Sequence, residues 1–190
     1  LDLQRRVGNI LTQAVASHPP STGAACAIID VRTREVLALV SVPGFDTRAY
    51  NEQYNRWRDD TRSRPLLFRA VAEEYPPGSI LKPLALLAGL SSGIINPATA
   101  VECRGRLFDN VDAWFCWTQW REPPPHGLVT AVEAIQHSCN IYFYTLGQRV
   151  GAARLMDFYR AVLRGPAEAS AGIELIEERN GFMPTDDELK

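Results

Sequence analysis

Apolar residues recur at helical spacing at the start of the chain. Leu3, Val7, Ile10, Leu11, Ala14 and Val15 fall on one side of a helix predicted over residues 3–16. The stretch "HPPSTG" ends it. Two apolar runs follow, "AACAIIDV" and "EVLALVSV", with the polar "RTR" between them. They predict a β-hairpin, with Asp30 placed to open the turn. The segment "PGFDTRAYN" breaks the second strand. Residues 51–64 are charged and irregular, which predicts a loop with some helix, and "PLLFRAVAEEY" is short and mixed. The run "SILKPLALLAGL", residues 79–90, predicts a helix buried on most sides. Pro83 lacks an N–H and is tolerated only near a first turn, so the helix must start close to Ser79. Residues 97–127 carry Trp, Cys, Pro, Asp and Arg without a period, a longer loop than a compact domain accepts without a function or a staple. Residues 128–137, 138–150 and 151–164 predict three short helices. The tail "GIELIEERNGFMPTDDELK" is acidic and turn-rich.

Composition changes this picture little. The chain has 190 residues, 46% of them hydrophobic, enough for one domain with a sizeable core. The formal net charge is −2, with no basic stripe or tail, which argues against nucleic acid as a partner. No apolar run approaches the length of a membrane span. The chain opens on "LDLQRR" without an initiator Met and reads as a piece of something longer. Cys26, inside an apolar run, reads as a buried small hydrophobe.

The charge that matters sits in "YPPGSILKP". Of the 20 Lys and Arg residues only Lys82 and Lys190 are lysine. On a helix Ser79 and Lys82, three apart, lie on one face and can meet. A serine hydroxyl is a poor nucleophile until a base takes its proton. Lysine serves as that base when burial and the positive end of a helix disfavour its ammonium form. Arginine cannot, because it stays charged. A second element is "SCN". Ser138 and Asn140, two apart on an extended segment, point the same way. A second hydroxyl relays a proton, and a side-chain amide holds a lysine and a substrate carbonyl together. Read alone, Ser79, Ser138 and Asn140 are equally suited to be helix caps of a non-catalytic scaffold.

Taken together, S-x-x-K and S-x-N are two of the motif elements of serine β-lactamases and penicillin-binding proteins. The chain resembles the transpeptidase domain of class B penicillin-binding proteins, in "AACAIIDVRTREVLALVSVPGFD", "FRAVAEEYPPGSILKP", "SCNIYFYTLG" and "GIELIEERNGFMP". "YPPGS" and the cysteine-containing insert before "HG" resemble the elongation type, the penicillin-binding protein 2 group. The resemblance implies an α/β (α+β) fold, an antiparallel hairpin plus a helical subdomain. It implies a peptidoglycan D,D-transpeptidase acting through a serine acyl-enzyme, with Ser79 as nucleophile and Lys82 as general base. Ser138 would relay the proton to the leaving amine, and Asn140 would bind Lys82 and substrate. The implied partners are peptidoglycan stem peptides, β-lactams, and membrane proteins of the elongation machinery including a glycosyltransferase. The implied location is the periplasmic face of the bacterial inner membrane, anchored by a helix not in this chain. Catalysis would need no cofactor. The family's third motif, K-T-G, does not occur, so residues 1–190 are expected to be a partial transpeptidase domain with little activity alone. A β-lactam sensor domain shares the fold and the first two motifs and stands as the alternative.

Cys103, Cys116, His126 and Cys139 fall in and just after the long loop. Three thiols and an imidazole are a complete tetrahedral set for a structural Zn²⁺, and some elongation-type relatives are understood to carry a metal site in this region. A Cys103–Cys116 disulfide or free thiols are the other readings, and His137 is a rival ligand. Trp114, Trp117 and Trp120, three apart, read as a local hydrophobic cluster or as a platform for a partner.

Overall fold

A computed structural model describes residues 1–120, 124–164, 173, 175–185 and 187–188. The chain divides into two compact units, one built on Leu1–Tyr75 and one on Pro76 onward, with the C-terminal segment shared between them at Gly181/Phe182.

In the first unit the predicted helix is α1, Asp2–Ser17. The predicted hairpin is β1, Ala24–Ile29, antiparallel to β2, Val36–Val42, in the register Ala24↔Val42 to Ile29↔Val36 with one irregularity at Ile28/Ile29. Asp30 opens the turn as expected: its carboxylate accepts from the N–H groups of Arg32 and Thr33 at 2.7 and 3.1 Å. The apolar stripe of α1, at Val7, Leu11 and Val15, packs on the inward residues Ala38, Val40 and Val42. The Gln4 amide donates to the Leu39 carbonyl at 2.7 Å and accepts from its N–H at 2.9 Å. A side chain thus satisfies both backbone groups of Leu39 on the edge of β2 that faces away from β1. Cys26 is only half-buried, a correction to the expectation of a core thiol. Residues 51–64 are more regular than their charge predicts. Helix α2 runs Tyr50–Asp59, and Tyr50, Tyr54 and Trp57 meet Phe45 or one another on one helical face. A four-residue helix α3, Arg69–Ala72, follows.

The second unit begins with a 3₁₀ turn, Gly78–Leu81, which runs directly into α4, Lys82–Ser91. Pro83 sits in the first α-turn, where a missing N–H costs nothing. Helix α4 is not buried on most sides. Only Ala88 and Gly89 of α4 are buried, while its Leu87 is exposed, as is Ile80 in the 3₁₀ turn before it. The loop 97–127 is not structureless. Strand β3, Val101–Cys103, pairs antiparallel with β4, Gly127–Val129, and an isolated bridge joins Arg106 to Phe115. The helix expected over 128–137 therefore starts later, as α5, Ala131–Gln136. Thr130 and Glu133 form its capping box. Helix α6, Asn140–Val150, and α7, Ala152–Tyr159, match the expected second and third helices, the latter continued by a π-turn to Arg164. The core is Ile141, Tyr142, Leu146 and Val150 of α6, with Ile95, Val129, Ala134 and three cysteines. Gly89 lets α4 and α6 approach closely: a Cβ there would lie 2.7 Å from Leu146 Cδ1. The acidic tail falls partly outside the described residues, and its described part contains turns at 176–177 and 187–188.

Candidate active site

Four side chains of the second unit converge, from the 3₁₀ turn, α4, the turn after α5 and the start of α6. The 3₁₀ turn presents Ser79. It is opened by Gly78 at φ 57°, a left-handed conformation that favours glycine. One residue into α4, Lys82 reaches across to the segment that leads into α6. Its Nζ donates to the Ser138 carbonyl at 2.8 Å, to Ser138 Oγ at 3.0 Å and to Asn140 Oδ1 at 2.6 Å. All three ammonium hydrogens are used. Ser138 Oγ donates to Ser79 Oγ at 3.2 Å. The link from Lys82 to Ser79 therefore runs through Ser138. Among the described residues Lys82 Nζ makes no hydrogen bond to Ser79; its three bonds go to Ser138 and Asn140.

Ser138 occupies an unusual backbone position. Its N–H donates to Ile135 at 3.1 Å and the Cys139 N–H to Ala134 at 2.9 Å. This is the Schellman closure of α5, with Ser138 at the left-handed C′ residue where glycine is usual. Its φ is 49°. The segment is thus turned rather than extended as expected, and the turn brings Ser138 and Asn140 together on Lys82. Neither residue caps α6: the N-cap is Cys139, with no side-chain cap bond, and Ser79 caps neither the 3₁₀ turn nor α4.

Asn140 is held at both ends, since its Nδ2 donates to the Phe115 carbonyl at 3.0 Å. Burial lowers the pKa of Lys82 below the ordinary lysine value, opposed by the charge that the Cys116 and Cys139 thiols can carry. The Phe143 ring lies 5.5 Å from Nζ. A lysine with a lowered pKa, hydrogen-bonded through one hydroxyl to another, is an arrangement able to take a proton from Ser79.

Over residues 24–190 the chain matches the penicillin binding protein transpeptidase domain. It belongs to that family. Peptidoglycan D,D-transpeptidase MrdA of Acinetobacter baumannii is 35% identical over 161 residues, spanning 82% of this chain and 23% of that protein. MrdA of Escherichia coli K12 is 30% identical over 182 residues, 92% of this chain and 28% of that protein. Pseudomonas aeruginosa PBP2, solved in complex with WCK 5153, has a TM-score of 0.75 at 31% identity, covering 96% of this chain and 40% of that one. This penicillin-binding transpeptidase domain is therefore of the elongation type. The chain spans about a quarter of the length of the curated relatives it matches, 23% and 28%.

The penicillin-binding domain holds a second cluster beside the first. The ligand atoms of Cys103, Cys116, His126 and Cys139 all lie within 4.8 Å of one another. Zn–S bonds of 2.3 Å place tetrahedral ligands about 3.8 Å apart, so the set closes on a metal with small adjustments. The three cysteines are 0–1% exposed, and all are free thiols rather than a Cys103–Cys116 disulfide. His126 Nδ1 lies 3.6 Å from Cys116 Sγ, and its buried Nε2 has no partner among the described residues. His137, the rival, stacks on the His126 ring at 5.4 Å. Burial pushes the Cys139 thiol up to about 12. At Cys116 burial also raises the pKa, but the backbone N–H groups of Asn140 and Thr118, with Cys103, outweigh it and leave the thiol below its ordinary value. Burial lowers the pKa of His126, aided by His137 and Lys82. The donor chemistry fits Zn²⁺.

Among the described residues no ring contact joins Trp114 and Trp117. Trp114 packs edge-on against Tyr144 at 5.2 Å, and Trp117 against His126 at 5.3 Å with its indole N–H on the His137 carbonyl. The Trp120 side chain lies outside the described residues. The Phe115 carbonyl, Phe143 and the Trp117 indole escaped sequence reasoning. The length of this loop, its cysteines and the tryptophan spacing marked the region in advance, but not these contacts.

Proposed function

We propose that this chain carries the nucleophile half of a peptidoglycan D,D-transpeptidase, and that the protein containing it cross-links cell-wall stem peptides. The observation that carries the reading is the chain of hydrogen bonds Ser79–Ser138–Lys82–Asn140. With Lys82 neutral, Ser79 Oγ attacks the carbonyl carbon of a D-Ala-D-Ala stem as its proton passes to Ser138 Oγ and the Ser138 proton to Lys82 Nζ. The tetrahedral centre collapses with loss of D-Ala, whose amine takes the proton back through Ser138. A neighbouring stem amine then releases the acyl group. A β-lactam meets the same serine and stays as the acyl-enzyme. Asn140 holds Lys82 through Oδ1 and, with an amide hydrogen not bonded to Phe115, binds the substrate carbonyl.

The same reading takes residues 1–190 as part of a transpeptidase domain whose remaining part supplies the K-T-G strand. It places that protein on the periplasmic face of the inner membrane, with elongation-machinery membrane proteins, including a glycosyltransferase, as partners. The test is labelling by fluorescent penicillin in the protein that carries this chain. One adduct per molecule, mapped to Ser79 and abolished by Ser79→Ala, is expected. Labelling elsewhere, or none, overturns it.

We propose also that Cys103, Cys116, His126 and Cys139 bind a structural Zn²⁺, which would tie the loop to the segment between Ser138 and Asn140. The metal is a staple, not a participant in the acyl transfer. One zinc per chain, lost in Cys103→Ser, is expected from elemental analysis of protein purified without chelator. No zinc, with two thiols missing on titration, would establish the disulfide instead.

A further inference from the structure

The end of α5 leaves carbonyls that the backbone does not satisfy, and their partners are informative. The Schellman closure uses the carbonyls of Ala134 and Ile135. The Ser138 carbonyl accepts from Lys82 at 2.8 Å. The His137 carbonyl accepts from the Trp117 indole N–H at 2.9 Å. The turn carrying Ser138 is therefore gripped from α4 on one side and from the 3₁₀ turn Trp117–Trp120 on the other. The same loop bonds Asn140 two residues earlier, through the Phe115 carbonyl at 3.0 Å. Bonds at 137 and 140 bracket the Ser138-Cys139 pair. A serine at φ 49° persists only where its surroundings over-determine the conformation. An indole suits that task. It is donor-only, carries no titrating proton and turns about two torsions only.

We propose that Trp117 is a positioning residue for Ser138: its indole N–H fixes the peptide leading into Ser138 and so aims Ser138 Oγ at Ser79 and Lys82. This rests on the reading of Ser79 as nucleophile. Small displacements at such a relay cost up to about 100-fold in rate. The test uses the protein that carries this chain and separates the acylation rate constant of a penicillin from its non-covalent dissociation constant. In Trp117→Phe the rate constant falls about 10- to 100-fold, with the dissociation constant unchanged. In a Ser138→Ala background the same change lowers the residual rate less than about twofold, because the aim of an absent hydroxyl no longer matters. Should Trp117→Phe not fold, benzothienyl-alanine at position 117 keeps the shape of the ring system and removes only the N–H. An unchanged rate constant in whichever variant folds overturns the proposal, as does an equal loss with and without Ser138. Failure of the wild-type protein to label at all overturns the nucleophile reading instead.

Discussion

Two replacements of Ser138 separate the cost of its backbone from the use of its hydroxyl. Ser138→Ala and Ser138→Gly remove the same bonds, to Lys82 Nζ at 3.0 Å and Ser79 Oγ at 3.2 Å. They differ at φ 49°, where a Cβ is crowded. The left-handed conformation costs an L-residue about 1–2 kcal/mol. Glycine escapes that, and gives back about 0.5–1 kcal/mol through the freedom of its unfolded chain. Ser138→Gly should therefore be the more stable by about 1 kcal/mol. In a thermal melt that is about 2–4 °C for a chain of this length. Acylation by penicillin should fall in both by about 10²–10⁴-fold, the contribution expected of a proton relay. The pair would then display a serine kept at a glycine position for its chemistry alone. Equal melting temperatures would refute the strain argument, and labelling of Ser138→Gly within tenfold of wild type would refute the relay.

Lys82 sets a pH dependence. Burial lowers its pKa below 10.5 in the folded chain, so the neutral amine grows as pH rises, and the acylation rate should climb with pH to a plateau. The sign for stability is the same. Between the folded value and 10.5 the unfolded chain binds more protons, so stability from this group rises with pH across that window and is flat below it. A pH–stability profile that falls there in wild type relative to Lys82→Met would contradict it. Asn140→Asp places a carboxylate 2.6 Å from Nζ and withdraws the donor to Phe115. Holding the lysine charged should slow acylation at neutral pH by at least about 10²-fold and shift its pH profile upward. Leu146→Ala, at a side chain 1% exposed, should cost about 2–5 kcal/mol in urea unfolding. Gly89→Ala, whose Cβ would meet Leu146 Cδ1 at 2.7 Å and Ile95 Cγ1 at 3.0 Å, should destabilise wild type and cost less in Leu146→Ala, where only the Ile95 contact remains.

Elements with strong local causes were legible in the sequence. Helix α1, the hairpin, the Asp30 turn and the start of α4 follow from the period of apolar residues, turn chemistry and the missing N–H of Pro83. Helix α2 was obscured because its order comes from aromatic contacts among Phe45, Tyr50 and Trp57, not from an apolar stripe. Strands β3 and β4 were missed because three-residue strands, 24 positions apart at Cys103 and Gly127, are too short for a period to register. The burial of α4 was overstated for a related reason. Hydrophobicity says what a helix could bury, not how many neighbours it meets.

The site divides in the same way. Residue types and spacing marked Ser79, Lys82, Ser138, Asn140 and the four metal-ligating candidates, because the chemistry of a neutral lysine beside a hydroxyl, or of thiols with an imidazole, belongs to the side chains themselves. That list of candidates follows from residue chemistry before any fold is known. Tertiary structure decided the wiring: that Lys82 reaches Ser79 through Ser138, that Ser138 is a left-handed helix stop and not a cap, and that His126 rather than His137 joins the thiols. Hydrogen bonds depend on distance and direction between groups 56 to 59 residues apart along the chain. Those quantities exist only once α4 and α6 have packed across Gly89 and Leu146.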